Sequence, residues 1–183
     1  MTRYEFVTCG DDDARWDDYF LLLMEGYGEL SLPYGFPVTF SFIGDPIMQG
    51  DALLARDESG RTVGALGFIF REDGCGMSSI PRICQAEALY LREEARGGAT
   101  LYRLLQAFSA YLAEWAPETE TIRFWSPADR RDLRTLFGRC CRHVKTSEKD
   151  FGRIDLFETS PARLATYTSP SERSGITWSP STR

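Results

Sequence analysis

Residues 83–115, ICQAEALYLREEARGGATLYRLLQAFSAYLAEW, hold the residue types and spacing most suited to chemistry. An apolar strand-like run leads into Arg96-Gly97-Gly98, and Ala99 and Thr100 then open a long amphipathic helix. A strand feeding a helix through glycines is a way to build an anion site. The N–H groups of Gly97 to Thr100 can approach a phosphate, the helix N-terminus adds about half a positive charge, and Arg96 adds a full one. Upstream, Glu87 shares a strand face with Leu89 and Leu91 by period-two alternation. A carboxylate partly buried there has its pKa raised toward the working range of a base.

Other chemistries are excluded by composition. The five cysteines are odd in number and irregularly spaced, no Cys-x-x-Cys pair occurs, and His143 is the only histidine. A structural metal site is not expected, and any Ser-His-Asp or Cys-His arrangement would have to use His143. Its place near a helix end suits a C-terminal dipole partner. The formal net charge of −6 argues against a broad nucleic-acid surface but leaves room for a local phosphate pocket. No apolar run approaches the roughly 20 residues a membrane span needs, and MTRYEFVTCGDDD has no signal-peptide core, so a cytoplasmic location is expected.

The elements that must position these residues can be read in order. Residues 4–9 form a short strand. Asp11, Asp12 and Asp13 suit the start of a helix with Trp16, Tyr19, Phe20 and Leu23 on one face, though they could also form a wall attracting a cation. Residues 26–50 carry Pro33, Pro37 and Pro46, so a loop with short helical or extended pieces is expected. Its aromatics, Tyr27, Tyr34, Phe36, Phe40 and Phe42, either line a pocket or complete the core. Residues 51–71 form a hairpin turning at Asp57-Glu58-Ser59-Gly60, and residues 72–81 form a connector to the strand 83–91. Leu101, Leu104, Leu105, Phe108, Leu112 and Trp115 recur at helical steps until Pro117. A strand follows at 121–125. Ser126 and Pro127 then read as N-cap and first residue of a helix with Leu133, Leu136, Phe137 and Cys140 on its inner stripe. A last strand at 153–158 and a short helix at 161–167 close a single domain over residues 1–167. Residues 168–183 form a polar tail in which Trp178 stands out.

This order, with EALYLREEARGG at its centre, resembles the GNAT superfamily of acyl-CoA-dependent N-acyltransferases. Glu87, Leu89, Tyr90 and Leu91 match its strand motif, Arg96 and Gly97 its loop, and Leu104-Leu105 its helix. Ala99 fits the first small position of the phosphate loop, Leu101 replaces the second, and Glu93 stands for the usual proline. The resemblance implies an α+β fold of αβα layers, with a mixed, mostly antiparallel sheet of 6–7 strands and helices on both faces. It implies acetyl-CoA as co-substrate, held by Leu89, Leu91, Arg96, Gly97, Gly98, Ala99 and Thr100, and an N-acetyl transfer to a small-molecule or peptide amine. The strand ending at Leu91 would pair with the pantetheine amides, and an N–H near Leu91 would polarise the thioester carbonyl. Glu87 is the implied base. The family's tyrosine acid falls at Phe137, which cannot donate a proton, so Tyr90, Tyr102, a water or no acid at all would serve the thiolate. A longer acyl chain, or a catalytically inactive binding module, are the alternatives. No metal and no nucleic-acid or membrane partner are expected, on the composition and charge given above, and a homodimer is compatible with the reading.

Overall fold

The computed structural model describes residues 3–30, 32–71, 82–96 and 98–169. The connector at 72–81, Gly97 and the tail from 170 onward, Trp178 included, lie outside these residues. Among the described residues seven strands form one sheet in the order β1-β2-β3-β4-β5-β7-β6. They are β1 (Glu5–Thr8), β2 (Gly50–Arg56), β3 (Thr62–Arg71), β4 (Ile83–Leu91), β5 (Thr121–Pro127), β6 (Arg142–Lys149) and β7 (Gly152–Thr159). All neighbours are antiparallel except β4 and β5.

Helices cover both faces, as the α+β reading expects. One face carries α1 (Asp13–Glu25), the short α2 (Tyr27–Leu30) and α3 (Phe36–Gln49). Here Trp16, Tyr19, Leu22, Leu23 and Ile43 pack on Leu54, Ala65, Ala88 and Tyr90. The other face carries α4 (Gly98–Trp115), α5 (Arg131–Cys140) and α6 (Pro161–Thr168). There Leu104, Leu105, Phe108 and Leu112 of α4 meet Phe68, Cys84, Ala86, Phe124 and Phe157. Asp12 caps α1, its carboxylate accepting from Arg15 N at 3.2 Å.

Several elements differ from the sequence reading. Residues 36–49 form a continuous helix, α3, despite their prolines. Pro37 lies in the first turn, where no backbone donor is needed, and Pro46 lies near the end, where burial with Thr39 and Ile43 offsets the lost bond. Ser126 and Pro127 do not cap α5. They extend β5, facing Asp155 and Ile154 of β7, and α5 starts at Arg131 instead. β6, which no alternation announces, is an exposed strand on the sheet edge, RHVKTSEK, paired only with β7. Edge strands keep polar side chains on both faces because only one of their sides is covered. His143 therefore lies in β6 rather than at a helix end.

Candidate active site

The parallel pair β4–β5 is short. Ile83 to Ala86 face Thr121 to Phe124, and pairing stops there. Beyond it β4 continues to Leu91 on β3 alone, and β5 continues to Pro127 on β7 alone. The two strands thus diverge at their C-terminal ends and leave facing edges of backbone between them. α4 begins seven positions after β4 ends, at Gly98. Between them the described residues hold a 3-10 turn, Glu93–Ala95. Arg96 Nε donates to the Leu91 carbonyl at 2.8 Å and ties the turn to the end of the strand.

Glu87 owes its place to a β-bulge. Gly67 faces Ala88 and Phe68 faces Ala86, so Glu87 is the extra residue of β4. A bulge shifts the alternation by one. Leu89 and Leu91 pack with the α4 core, whereas Ala88 and Tyr90 pack with α1. The expectation that Glu87 shares the face of Leu89 and Leu91 is thereby corrected: its charge acts on Tyr19 of α1 and Tyr34, and it feels Asp45 of α3. Its residue is 8 % exposed. Oε1 accepts from Gln85 Nε2 at 2.6 Å, and Oε2 is buried without a hydrogen-bond partner among the described residues. Burial pushes its pKa up to about 7; the Gln85 bond and Arg71 pull it down, and Asp45 pushes it up.

The remaining expected residues divide. Leu89 and Leu91 pack into the core on the α4 side of β4. Ala99 is exposed and Thr100 buried in the first turns of α4, and Gly98 begins that helix, while Gly97 lies outside the described residues. Leu101 packs partly buried against the core. Arg96 is not free: its guanidinium pairs with Glu29 of α2 and lies over the Tyr90 ring, 5.6 Å from the centroid. The Tyr90 ring packs so closely on Gly26 that a Cβ there would overlap it, and its hydroxyl is 3.4 Å from Glu29 Oε1. Tyr90 thus faces α2, away from Leu89 and Leu91. The Tyr102 hydroxyl donates to the Ser169 carbonyl at 2.8 Å. Phe137 is buried between Phe124, at 4.9 Å, and Phe157, at 5.5 Å, and has no part in proton chemistry.

Sequence reasoning missed Gln85, Tyr19, Tyr34, Asp45 and Arg71 as surroundings of Glu87. The Gln85-x-Glu87 spacing on a strand was the available signal, since residues two apart share a face. Tyr19 read only as core, and Tyr34 and Asp45 belong to the stretch expected as loop. Tyr34 also meets the β6–β7 hairpin: Lys149 Nζ lies 5.8 Å from its ring, and Phe151 N donates to Pro33 O at 3.4 Å. His143 Nε2 instead pairs with the buried Asp155 at 3.1 Å.

No protein-family model matches the sequence, and no curated protein does. Solved structures match throughout most of the chain. A GNAT-family acetyltransferase from Staphylococcus aureus aligns over 87 % of this chain and 99 % of its own, with TM-score 0.64 and 10 % identity. NAA60 of Arabidopsis thaliana in complex with acetyl-CoA aligns over 87 % and 99 %, with TM-score 0.60 and 11 % identity. A spermidine N-acetyltransferase chimera from Vibrio cholerae and hSSAT aligns over 88 % and 97 %, with TM-score 0.59 and 12 % identity. The chain has the fold of the GNAT acetyltransferases. Among the described residues no helix is long and apolar enough to cross a membrane.

Proposed function

We propose that the protein transfers an acyl group, acetyl in the simplest case, from an acyl-CoA thioester to the nitrogen of an amine. The divergence of β4 from β5, beside a buried carboxylate with one open oxygen, carries this reading. The freed edge of β4 over residues 87–91 can take the amide-bearing arm of the donor as an added strand. An N–H of that edge can donate to the thioester oxygen as it gains charge. The N–H groups of Gly98, Ala99 and Thr100 at the start of α4 suit the pyrophosphate. Arg96 can join them only by leaving Glu29.

Glu87 is the proposed base. Its raised pKa leaves it close to half ionised near neutral pH, suited to accept the proton of an acceptor ammonium. The amine nitrogen then attacks the thioester carbonyl, the C–N bond forms, the C–S bond breaks, the thiolate leaves, and the nitrogen sheds its extra proton to solvent to give the amide. Phe137 offers the thiolate no proton, and the Tyr90 hydroxyl points to Glu29, so solvent is the proton source for the leaving group. Glu87 and Asp45 favour a cationic acceptor, a small molecule or a peptide amine.

Calorimetric titration with acetyl-CoA, followed by thiol release in an amine screen, tests the reading. Binding in the micromolar range and amine-dependent thiol release are expected. No binding at hundreds of micromolar overturns it, and a preference for octanoyl over acetyl thioester moves it to a longer chain.

A further inference from the structure

Two buried polar atoms near the β4 bulge lack partners among the described residues: Glu87 Oε2 and the hydroxyl of Tyr19. Tyr19 is 0 % exposed. Its ring is wedged edge-on between Trp16, at 5.4 Å, and Phe20, at 5.6 Å. The hydroxyl lies over Gly67, so close that a Cβ there would overlap it, and Pro46 borders the same spot. Gly67 is the residue of β3 that faces Ala88, next to the bulged Glu87. Tyr19 and Glu87 thus meet on one face of the sheet, near enough that Glu87, after burial itself and Cys9, pushes the phenol up.

Each orphaned group is costly in isolation, and native interiors seldom tolerate one. The two have complementary needs. The carboxylate oxygen needs a donor, and the phenol O–H needs an acceptor. They make no hydrogen bond to each other. One water answers both needs and keeps a lone pair for a third partner, within the two to four partners that buried waters usually have.

Resting on the reading of Glu87 as the base of amine acylation, we infer that Tyr19 and Glu87 Oε2 hold one water between them, and that Tyr19 is a positioning residue for the proton leaving the acceptor. The phenol donates to the water oxygen, and the water donates to Oε2. As the acceptor ammonium gives a proton to the water, the water gives one to the carboxylate. The ammonium becomes the free amine and Glu87 becomes the neutral acid, so charge and protons balance. Tyr34 is less suited to the role: it is half-exposed, and its ring is engaged by Phe42 at 5.3 Å and by Lys149. The other groups facing Glu87 are Gln85 on its own strand, Asp45 from α3 and Arg71 from β3.

The test is an infrared titration of the protonated carboxyl of Glu87, assigned by the band that Glu87→Gln removes, in the wild type and in Tyr19→Phe. A donor acting through water favours the charged carboxylate, so its loss shifts the midpoint upward by about one pH unit. At pH 7 kcat then falls about fivefold while the KM for acetyl-CoA stays unchanged. An unchanged midpoint overturns the inference. The band does not depend on turnover, so a protein that acylates no amine sinks the functional reading while the titration still decides on Tyr19. Should Tyr19→Phe not fold, uniform 3-fluorotyrosine in a Tyr34→Phe background strengthens the donor. The midpoint then moves down, and no movement overturns the inference.

Discussion

Glu87 and Asp155 are both buried carboxylates on strands of the same sheet, and they behave in opposite ways. Asp155 is 0 % exposed in the middle of β7, flanked by β5 and β6. Its Oδ1 accepts from Thr146 Oγ1 at 2.5 Å and pairs with His143 Nε2 at 3.1 Å, and Arg134 Nε lies 3.7 Å from Oδ2. Burial pushes its pKa up, but the Thr146 and His143 bonds and the Arg134 charge outweigh that and hold it below the usual carboxylate range. Glu87 has a single hydrogen-bonded neighbour, Gln85, and burial wins. The sheet surrounds Asp155 with paired strands. At Glu87 it opens, because β5 has turned away and the bulge has moved the side chain to the other face. The difference teaches that burial alone does not select a base. Asp155 Oδ2 also lacks a hydrogen-bond partner among the described residues, but Arg134 faces it; the carboxylate whose burial is not offset by donors and nearby charge is the one suited to exchange a proton.

The largest expected effect tests that contrast directly. Glu87→Gln lowers kcat by about 100-fold or more, the usual scale for loss of a general base, and leaves acetyl-CoA affinity as it was. Steady-state kinetics paired with calorimetry checks it, and a parallel loss of binding would break the assignment. Asp155→Asn, by contrast, leaves kcat near the wild-type value.

The pH response sharpens the same comparison. As the proposed base, Glu87 must be ionised to act, so kcat is expected to rise with pH through about 7, half-maximal there, and to level off about one unit above. For stability the sign is opposite. The folded pKa of about 7 lies above the ordinary value of 4.5, so the folded state holds a proton that the unfolded chain has released. That contribution is full below pH 4.5 and is lost as pH rises through 7, on the order of 3 kcal/mol. Denaturant titrations at pH 4.5, 6 and 8 should show this fall in the wild type and not in Glu87→Gln.

Asp155 carries a smaller and purely structural effect. Asp155→Asn removes a charged acceptor from Thr146, His143 and Arg134 and lowers stability by about 2 kcal/mol, read from the denaturation midpoint. The smallest effect concerns the ion pair of Arg96 and Glu29. If Arg96 meets the phosphates, Glu29→Gln releases it and tightens acetyl-CoA binding about threefold, the scale of an exposed pair. No change in affinity would show that Arg96 serves only to hold the end of β4.

What the sequence by itself determined is the part governed by local periodicity and by a short motif. The hairpin of β2 and β3, the strand β4, the amphipathic stripe of α4 and the capping of α1 by Asp12 all follow from neighbours within a few residues. The match of residues 87–105 to an acyltransferase pattern pointed to the same fold, and to Glu87 as the carboxylate of interest. Pairing between distant segments decided the rest. Whether Ser126 and Pro127 cap a helix or extend a strand depends on β7, which arrives some thirty residues later. β6 exists only because β7 offers it an edge. The face of Glu87 turns on a bulge against Gly67, and bulges arise from register between strands, not from the alternation of one strand. The company of Tyr19, Tyr34 and Asp45 around that carboxylate is likewise a matter of packing. A single sequence states which groups can do chemistry; only the folded sheet decides which of them is left with an open oxygen.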